Sequence, residues 1–527
     1  MSALPATANS ASTPPVPAPA AVAAPFTGRI FTGFLGILIS AMIAGLSNRI
    51  GSLALADIRG VLGLGADEGS WLNTVYVAAE LIAMPFSIWL AAIISLRRFH
   101  MAMTGIFVLL SYLIPLVHDW STLLVLRSLQ GLAGGMLIPI LMLSALRFFP
   151  LPIRLYGMSL YALTATFSPN LGFWLAGNWL DVVHDWRLVF WQNLPIGLLS
   201  IAMVYWGVPQ DPTRPERLRQ TDWFGMACGV AGLGMIAVGL DQGERLDWWN
   251  SYLICWLIGG GLSMTLVFLV SQWFYPVPFI RPQLLLQKRN LGVGFSVFVL
   301  LLMVMMSSSK LPAMHLEALW GYRSLQSGPV GLLIALPQPV LSLAVAWLFY
   351  RKWVDARLVM ASGIALIAVA CLLCTQITSS WIVEQLVMTQ LLQATGQAMA
   401  VVGLLFLTTS VVQPMEGPFV AGTINTLRAF GVIFGGAVIG HFFRLRQHFH
   451  SEVIVDHMGR RFASMQLFPG NLAALNDSTR QQAFVLANAD SYLMLAALAL
   501  VLIPFVLRMD YIPAPARPVA SSTNNKG

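Results

Sequence analysis

The sequence predicts an all-α polytopic membrane protein with about fourteen transmembrane helices. Apolar runs of roughly twenty residues recur along most of the chain, and each is long enough to cross about 30 Å of hydrocarbon as a helix. Only 10% of the residues are charged, whereas about a quarter are charged in a soluble domain. The mean hydropathy of +0.74 agrees with this composition. Run length and hydrophobicity together therefore give the fold class.

The apolar runs, taken in order, predict where each helix lies. The predicted spans are 30–50, 71–94, 101–118, 121–146, 156–179, 187–207, 223–241, 252–273, 291–311, 327–350, 358–376, 382–408, 419–441 and 491–508. Two polar linkers that contain proline, at 208–223 and 274–290, bracket the seventh and eighth helices. This spacing predicts six helices, an inserted pair and six more helices.

The same pattern divides the chain into five parts. They are a disordered cytoplasmic tail at 1–28, an N-terminal six-helix bundle at 29–207, the linkers and inserted helix pair at 208–290, a C-terminal six-helix bundle at 291–508 with an extracytoplasmic, periplasmic loop at 442–490, and a cytoplasmic tail at 509–527. The first helix of each bundle runs between basic residues, from Arg29 to Arg49 and from Arg289 to Lys310, which favours an internal duplication.

Basic residues are distributed unequally between the two sides of the membrane. Thirteen fall in short loops on one side: Arg97, Arg98, Arg147, Arg154, Arg214, Arg217, Arg219, Arg281, Lys288, Arg289, Arg351, Lys352 and Arg357. The short loops on the other side hold four, Arg59, Arg187, Arg245 and Arg323. Cytoplasmic loops carry the excess of basic residues, so the first set and both termini are predicted to be cytoplasmic. The formal charge of +8 therefore implies no nucleic-acid partner.

Two motifs resemble those of major facilitator superfamily transporters. LVLRSLQGLAGG, at 124–135, is similar to the motif of the fourth helix, and its matching positions are Arg127, Gln130, Gly131 and Gly134. SPNLGFWLAG, at 168–177, is similar to the fifth-helix motif of antiporters, of which it keeps Pro169, Gly172 and Gly177. Phe173 and Ala176 replace a Pro and a Gly of that motif, and this departure weakens an antiport assignment.

Three further stretches narrow the resemblance to the EmrB/QacA-type family of fourteen-helix drug:proton antiporters. They are WRLVFWQNLPIG at 186–197, which contains Asn193, Pro195 and Gly197, LDQGERLDWWNS at 240–251, and TINTLRAFGVIFGG at 423–436, which contains Asn425 and Arg428. The resemblance implies the fold of this superfamily and proton-driven export from the cell inner membrane by alternating access. It also implies a periplasmic adaptor (membrane fusion) protein and an outer-membrane channel as candidate partners.

The chain departs from this family in its first helix. Drug-exporting relatives carry an Asp there, whereas the matching positions read Ser47, Asn48 and Arg49. Arg49 and Lys310 either extend to the membrane interface or line the central cavity. In the second case two cations would favour organic or aromatic anions as substrates. The loop after the second helix keeps only Arg97 and Arg98 of its motif, which leaves a non-transporting sensor or scaffold as an alternative.

Two buried charges are candidates for proton coupling. Glu80 lies about ten residues into the second helix, near the middle of the membrane. A carboxyl at that depth is either a proton carrier or the permanent partner of Arg49 or Arg127. Arg127 is either a conformational strut or a direct participant in proton transfer.

Several other polar residues are candidates for the substrate cavity or, alternatively, for hydrogen bonds between helices. They are Ser47, Asn48, Asn73, Asn170, Gln390, Gln393, Gln397, Asn425 and Arg428. Gln390, Gln393 and Gln397 share one helix face because they are spaced i, i+3 and i+7.

The sequence predicts a transporter of small organic or drug-like compounds with no catalytic residue, metal or cofactor. The histidines of the 441–461 segment have a spacing too weakly specific for a metal site, and neighbouring basic residues oppose a cation. A facilitator that is not an antiporter remains an alternative. A membrane transferase is a further alternative, although the loops offer only scattered residues for catalysis.

Overall fold

The structure, a computed structural model, describes residues 26–462 and 472–515. Most of these residues are helical, and none of them forms a strand. The predicted N-terminal tail lies outside the described residues up to position 25. Positions 463–471 of the predicted periplasmic loop and positions 516–527 of the predicted C-terminal tail also lie outside them.

Nineteen α-helices follow one another along the described chain. They are α1 Gly28–Leu53, α2 Leu55–Leu62, α3 Ala66–Ile94, α4 Leu96–Leu113, α5 Trp120–Phe148, α6 Arg154–Gly177, α7 Leu188–Trp191, α8 Asn193–Gly207, α9 Trp223–Gln242, α10 Tyr252–Phe274, α11 Gln283–Gln287, α12 Arg289–Met305, α13 Lys310–Trp320, α14 Ser324–Ala335, α15 Gln338–Phe349, α16 Ala356–Cys374, α17 Val383–Thr409, α18 Gly417–Phe462 and α19 Leu472–Leu507. Asp119, Asp222 and Asp355 cap the N-termini of α5, α9 and α16 by accepting backbone hydrogen bonds.

Thirteen segments of the described chain are long and apolar enough to cross a membrane. Helix α6 is long enough but more polar, since it carries Thr164, Thr166, Ser168 and Asn170 as buried side chains. It packs against α1 and α14 in the middle of the bundle. Together with α6, the described helices account for the fourteen predicted spans, and the predicted all-α membrane fold is confirmed.

Three of the spans are interrupted rather than continuous. The ninth span runs from Arg289 to Trp320 and is broken around Ser309, between α12 and α13. The predicted helix end at 311 was therefore wrong, because the chain resumes a helix at Lys310 and continues it to Trp320. Lys310 lies at the break within this helical segment and not at its end. Similar breaks fall at Gln192, between α7 and α8, and at Pro337, between α14 and α15.

The predicted periplasmic loop at 442–490 is helical over most of its described length. Helix α18 continues to Phe462, and α19 begins at Leu472, so both extend well beyond the apolar runs from which their ends were predicted. Where the two helices pack together, Arg446 and His450 both contact the Asp490 carboxylate, at 2.5 and 2.6 Å. Hydrophobicity marks where a helix leaves the membrane, but paired polar side chains allow it to continue beyond that point.

The inserted pair, α9 and α10, attaches at the junction of the two halves of the protein. Helix α9 packs against α3 of the first half and α18 of the second. Helix α10 packs mainly on α9 and presents exposed aromatic side chains, among them Tyr252, Trp256 and Phe274. The halves also meet where α6 packs on α14, α15 and α17, and where α3 packs on α18. These interface helices enclose the site.

Candidate functional site

A cavity of about 480 Å³ lies between the two halves, and we call it the central cavity. Its walls come from α1, α3 and α6 of the first half, from α12, α13, α17 and α18 of the second, and from the end of α9. The charged side chains that line it are Arg49, Glu80, Asp241, Glu244, Lys310 and Arg428. Formal charges in the lining are thus balanced, three positive against three negative.

Arg49 is the least satisfied cation of the central cavity. Its guanidinium lies over the ring of Phe173, 4.5 Å from the ring centroid. Its Nε atom is buried without a hydrogen-bond partner. Gly172 makes this position possible, because a Cβ atom there would lie 2.8 Å from the Arg49 side chain. Arg49 therefore has donors free for an acceptor in the cavity.

Lys310 reaches the same cavity from the break between α12 and α13. Its Nζ atom donates to the carbonyl oxygen of Gly436 at 3.0 Å. It interacts electrostatically with Arg49, Asp241 and Glu244, but within the described chain it forms no salt bridge. An ammonium group has three donors, so Lys310 also has hydrogen-bonding capacity left over.

Each carboxylate of the cavity, in contrast, already accepts a hydrogen bond or forms an ion pair. Glu80 accepts from the Asn48 amide at 2.9 Å, and Asp241 accepts from the Thr74 hydroxyl at 2.5 Å. Glu244 forms an ion pair with Arg444 at 2.5 Å. No salt bridge of the described residues involves Glu80, so permanent pairing with Arg49 or Arg127 is not the arrangement seen here.

Glycines of the fourth-span motif press α5 onto the backbone of α3 and so position Glu80. A Cβ atom at Gly131 would lie 2.4 Å from the carbonyl oxygen of Tyr76, and one at Gly135 would lie 2.4 Å from that of Glu80. A Cβ atom at Gly134 would lie 3.0 Å from the hydroxyl oxygen of Tyr76. A side chain at these positions would push α3 away from α5.

Arg127 lies beside the central cavity rather than in its lining. It donates to Gln130 at 2.7 Å and lies 4.4 Å from the centroid of the Tyr76 ring. Gln130 donates in turn to Ser111 at 2.8 Å. Asn193 donates to the same Ser111 and to Ser47, both at 3.2 Å. This chain of side chains joins α5, α4, α8 and α1, so the first half has a continuous buried polar network.

The structure brings most, but not all, of the predicted cavity residues to one place. Asn48, Arg49, Asn73, Asn170, Lys310, Gln397 and Arg428 line the central cavity together with Glu80 and Pro169. Ser47, Gln390, Gln393 and Asn425 are buried outside its lining. Asn425 accepts a hydrogen bond from Tyr161 of α6 at 2.8 Å, and Gln393 donates to Ser307 at 2.8 Å. These two therefore join helices within and between the halves.

The remaining motif residues allow close helix contacts. Gly177 meets the backbone of Leu325 across the two halves, since a Cβ atom there would lie 2.4 Å from it. A Cβ atom at Gly197 would lie 2.3 Å from the side chain of Val108 in α4. Pro195 lies in an exposed part of the first turn of α8.

Three residues that shape the site were not predicted from the sequence. Gly135 belongs to the fourth-span motif, and its contact with the Glu80 backbone appears only in the structure. Asp241 and Glu244 lie in the quoted LDQGER stretch, and only the packing of α9 shows that they face the cavity. Charged residues are common at the ends of apolar spans, so the position of these two acidic residues in the sequence does not distinguish them.

Comparison with known proteins settles the family. A sequence model described as Major Facilitator Superfamily matches residues 37–436. The chain belongs to the Major Facilitator Superfamily. It is 26% identical over 483 residues to the fatty acid resistance protein FarB of Neisseria gonorrhoeae, covering 88% of this chain and 92% of that one. It is 28% identical over 326 residues to the multidrug export protein EmrB of Escherichia coli K12, covering 60% and 62%.

Solved structures give the same fold. The human organic anion transporter MFSD10 superposes with a TM-score of 0.56 at 14% identity, covering 89% of this chain and 99% of that one. The proton:xylose symporter XylE superposes with a TM-score of 0.56 at 12% identity, covering 93% and 98%. The resemblance stated from motifs is thus confirmed. The protein is a multi-pass membrane transporter and not an enzyme.

Proposed function

We propose that this protein exports small amphipathic organic anions by alternating access, driven by protons, across the cell inner membrane. The observation that carries the proposal is the imbalance of hydrogen-bonding capacity among the charged groups of the central cavity. Arg49 has a buried donor without a partner and Lys310 has a single carbonyl acceptor, whereas every carboxylate already accepts from a donor. An anionic group is the ligand that such a site lacks.

The apolar part of the lining fits the other end of an amphipathic molecule. Met84, Met305 and Met306 line the central cavity together with Val432 and Ile433. Methionine side chains are flexible and polarisable, so they accept apolar groups of different shapes. The relative FarB is named for fatty acid resistance, and a fatty acid combines a carboxylate with an apolar tail.

Glu80 is the proposed proton carrier. Substrate binds with its anionic group at Arg49 and Lys310, the loaded protein opens outward, and the empty protein returns with a proton on Glu80. Outward movement of an anion and inward movement of a proton both follow an inside-negative potential. Each elementary charge gains about 2.3 kcal/mol per 100 mV, so exchange of one monoanion for one proton gains about 4.6 kcal/mol.

The orientation and the partners follow from the same proposal. The excess of basic residues in one set of loops favours a cytoplasmic location for both termini. The described parts of α18 and α19 beyond the membrane then extend into the periplasm, where a periplasmic adaptor protein could bind them and continue the route to an outer-membrane channel. Co-purification of an adaptor with the intact protein, and its loss when 446–490 is replaced by a short linker, tests this part.

A second candidate substrate class has a specific observation in its favour. Asp241 and Glu244 face the same cavity as the two cations, so a cationic amphiphile also finds opposite charges there. A further relative, from Acinetobacter baumannii, is named a colistin resistance protein and is 26% identical to this chain over 281 residues, covering 52% of each. The transport test therefore includes one anion and one cation.

Uptake into inverted membrane vesicles tests the proposal. The anionic probe is decanesulfonate, which stays ionised at every pH used, and the cationic probe is ethidium. We expect saturable, proton-dependent uptake of decanesulfonate. Loss of one charged hydrogen bond, about 1.5–3 kcal/mol, predicts that Arg49→Ala and Lys310→Ala each raise its KM about 10- to 150-fold.

Arg29→Ala is the matched control, because Arg29 lies at the opposite end of α1 and donates to the carbonyl oxygen of Trp206. It should leave the KM unchanged. Absence of decanesulfonate uptake by the wild-type protein, or an unchanged KM in both cavity variants, would refute the assignment of anions. Exclusive uptake of ethidium would favour the second class.

A further inference from the structure

The inserted helix pair contributes a carboxylate, Asp241, to the central cavity. Asp241 lies at the end of α9, where that helix packs against α3 and α18. The Thr74 hydroxyl of α3 donates to Asp241 Oδ2 at 2.5 Å, and the Gln242 amide donates to that hydroxyl at 2.5 Å. The carboxylate is therefore held in place by the wall of the cavity, while its other oxygen accepts no hydrogen bond from the described residues.

Asp241 shares the central cavity with two cations, Lys310 of the second half and Arg49 of the first, which we call the cation pair. It lines the central cavity with Lys310 and Arg49, and its charge acts on Lys310. Neither Asp241 nor Lys310 takes part in a salt bridge within the described chain. The two opposite charges attract each other across the space that a substrate would occupy.

Glu244 differs from Asp241 although it comes from the same stretch. Its carboxylate is paired with Arg444 at 2.5 Å and also accepts from Trp248 at 2.7 Å. The negative charge of Glu244 is therefore largely compensated by the positive charge of Arg444 in α18. Asp241 has only neutral donors, so its charge acts on the cavity more fully than that of Glu244.

We propose that Asp241 is a specificity-determining residue: it is the resident counter-ion of Lys310, with which the anionic group of a substrate competes. This inference rests on the proposed function and deepens it. The negative charge of Asp241 lowers the positive potential of the cation pair, which weakens binding of anions and favours that of cations. The inserted pair is then not a passive spacer between two bundles, because it sets the charge selectivity of the transporter.

Neutralisation of Asp241 tests the inference with the same two probes. We expect Asp241→Asn to lower the KM for decanesulfonate about five- to tenfold and to raise that for ethidium, with little change in kcat. Asp241→Glu keeps the charge and should therefore change the KM for decanesulfonate less than Asp241→Asn does. In a Lys310→Ala background the effect of Asp241→Asn on decanesulfonate should be much smaller, because the cation it competes for is gone.

Glu244→Gln is the matched control for a neighbouring carboxylate, and it should change the decanesulfonate KM less than Asp241→Asn does. An unchanged decanesulfonate KM in Asp241→Asn, in a variant that transports with the wild-type kcat, would overturn the inference and leave the proposed function standing. If the wild-type protein takes up only ethidium, the proposed function fails, and an unchanged ethidium KM in Asp241→Asn would then overturn the inference separately.

Discussion

Replacement of Glu80 by Gln should uncouple transport from protons while it preserves the cavity. Glu80 is about 9% exposed and accepts one hydrogen bond, from Asn48 at 2.9 Å. A Gln side chain has the same shape and a carbonyl oxygen that can accept this bond. It cannot bind and release a proton, so the empty transporter should return without one.

The size of the effect follows from the charges that move. For one proton per anion, a gradient of one pH unit is worth about 1.36 kcal/mol and changes the limiting accumulation ratio about tenfold. A potential of 100 mV acts on two charges in the wild-type protein, about 4.6 kcal/mol, and on one charge in Glu80→Gln, about 2.3 kcal/mol. The variant should therefore lose all dependence on the pH gradient and half of its dependence on the potential.

The assay is uptake of decanesulfonate into inverted vesicles, with the pH gradient and the potential imposed separately. Glu384→Gln is the control, because Glu384 is exposed in the first turn of α17 and should behave like the wild type. A tenfold response of Glu80→Gln to one pH unit would refute the assignment of Glu80 as the proton carrier. Loss of all uptake, with decanesulfonate binding intact, would show that Glu80 is required for the conformational change itself.

Three further variants test how the structure positions the site. Gly135→Ala places a methyl group 2.4 Å from the Glu80 carbonyl oxygen, so it should destabilise the packing of α3 on α5 by about 1–3 kcal/mol and lower the melting temperature in detergent. Arg323→Gln removes the ion pairs with Asp57 and Asp181 that join the two halves at one end, each worth at most about 1 kcal/mol because Arg323 is 58% exposed, and distances between spin labels at that end should shift to longer values. Asp119→Ala removes the cap of α5 and should lower the melting temperature at neutral pH. Hydrogen bonds from the Thr122 hydroxyl and its neighbours hold the pKa of Asp119 below its usual value, so its stabilisation should fade as the pH falls through that lowered pKa.

Each of these variants has a conservative control. Gly105→Ala adds a methyl group where nothing lies within 4 Å and should leave stability unchanged. Arg323→Lys keeps the charge between the halves, and Asp119→Asn keeps a side chain that caps helices. Equal melting temperatures for Gly135→Ala and Gly105→Ala would contradict the close packing of α5 on the Glu80 backbone. Identical spin-label distances in Arg323→Gln and Arg323→Lys would show that the ion pairs do not hold this end of the two halves together.

Most of the residues that the sequence marked as proton or substrate candidates line the central cavity, but some lie elsewhere. Arg49, Lys310 and Glu80 were singled out because charges are rare inside apolar runs, and the structure places all three around the central cavity. Ser47 was expected in the cavity because it matches a position in the first-helix motif of drug-exporting relatives. A helix turns about 100° per residue, and Ser47 accordingly faces Asn193 of α8 instead.

The C-terminal spans show a related limit. The end of an apolar run predicts where a helix leaves hydrocarbon, and the predicted ends of the thirteenth and fourteenth helices followed that rule. The helices nevertheless continue as a pair, in which Arg446 and His450 contact Asp490. Those contacts join residues about forty positions apart, so no local pattern could have shown them.

By itself, the sequence determined that this protein is a helical membrane protein with about fourteen spans, because the length and hydrophobicity of each run are local properties that the bilayer selects directly. Its assignment as a transporter came from the resemblance of its motifs to those of a known family. The contact between Arg127 and Gln130 in the fourth-span motif was likewise predictable, because the two residues are three positions apart on one helix. Only the tertiary structure decided what the charges face. Asp241 and Lys310 are 69 positions apart and come from different parts of the chain, and they share a cavity because α9 packs where α3 meets α18. The charge selectivity proposed here would be a property of that packing, since electrostatic interactions depend on distance in space and not on distance along the chain.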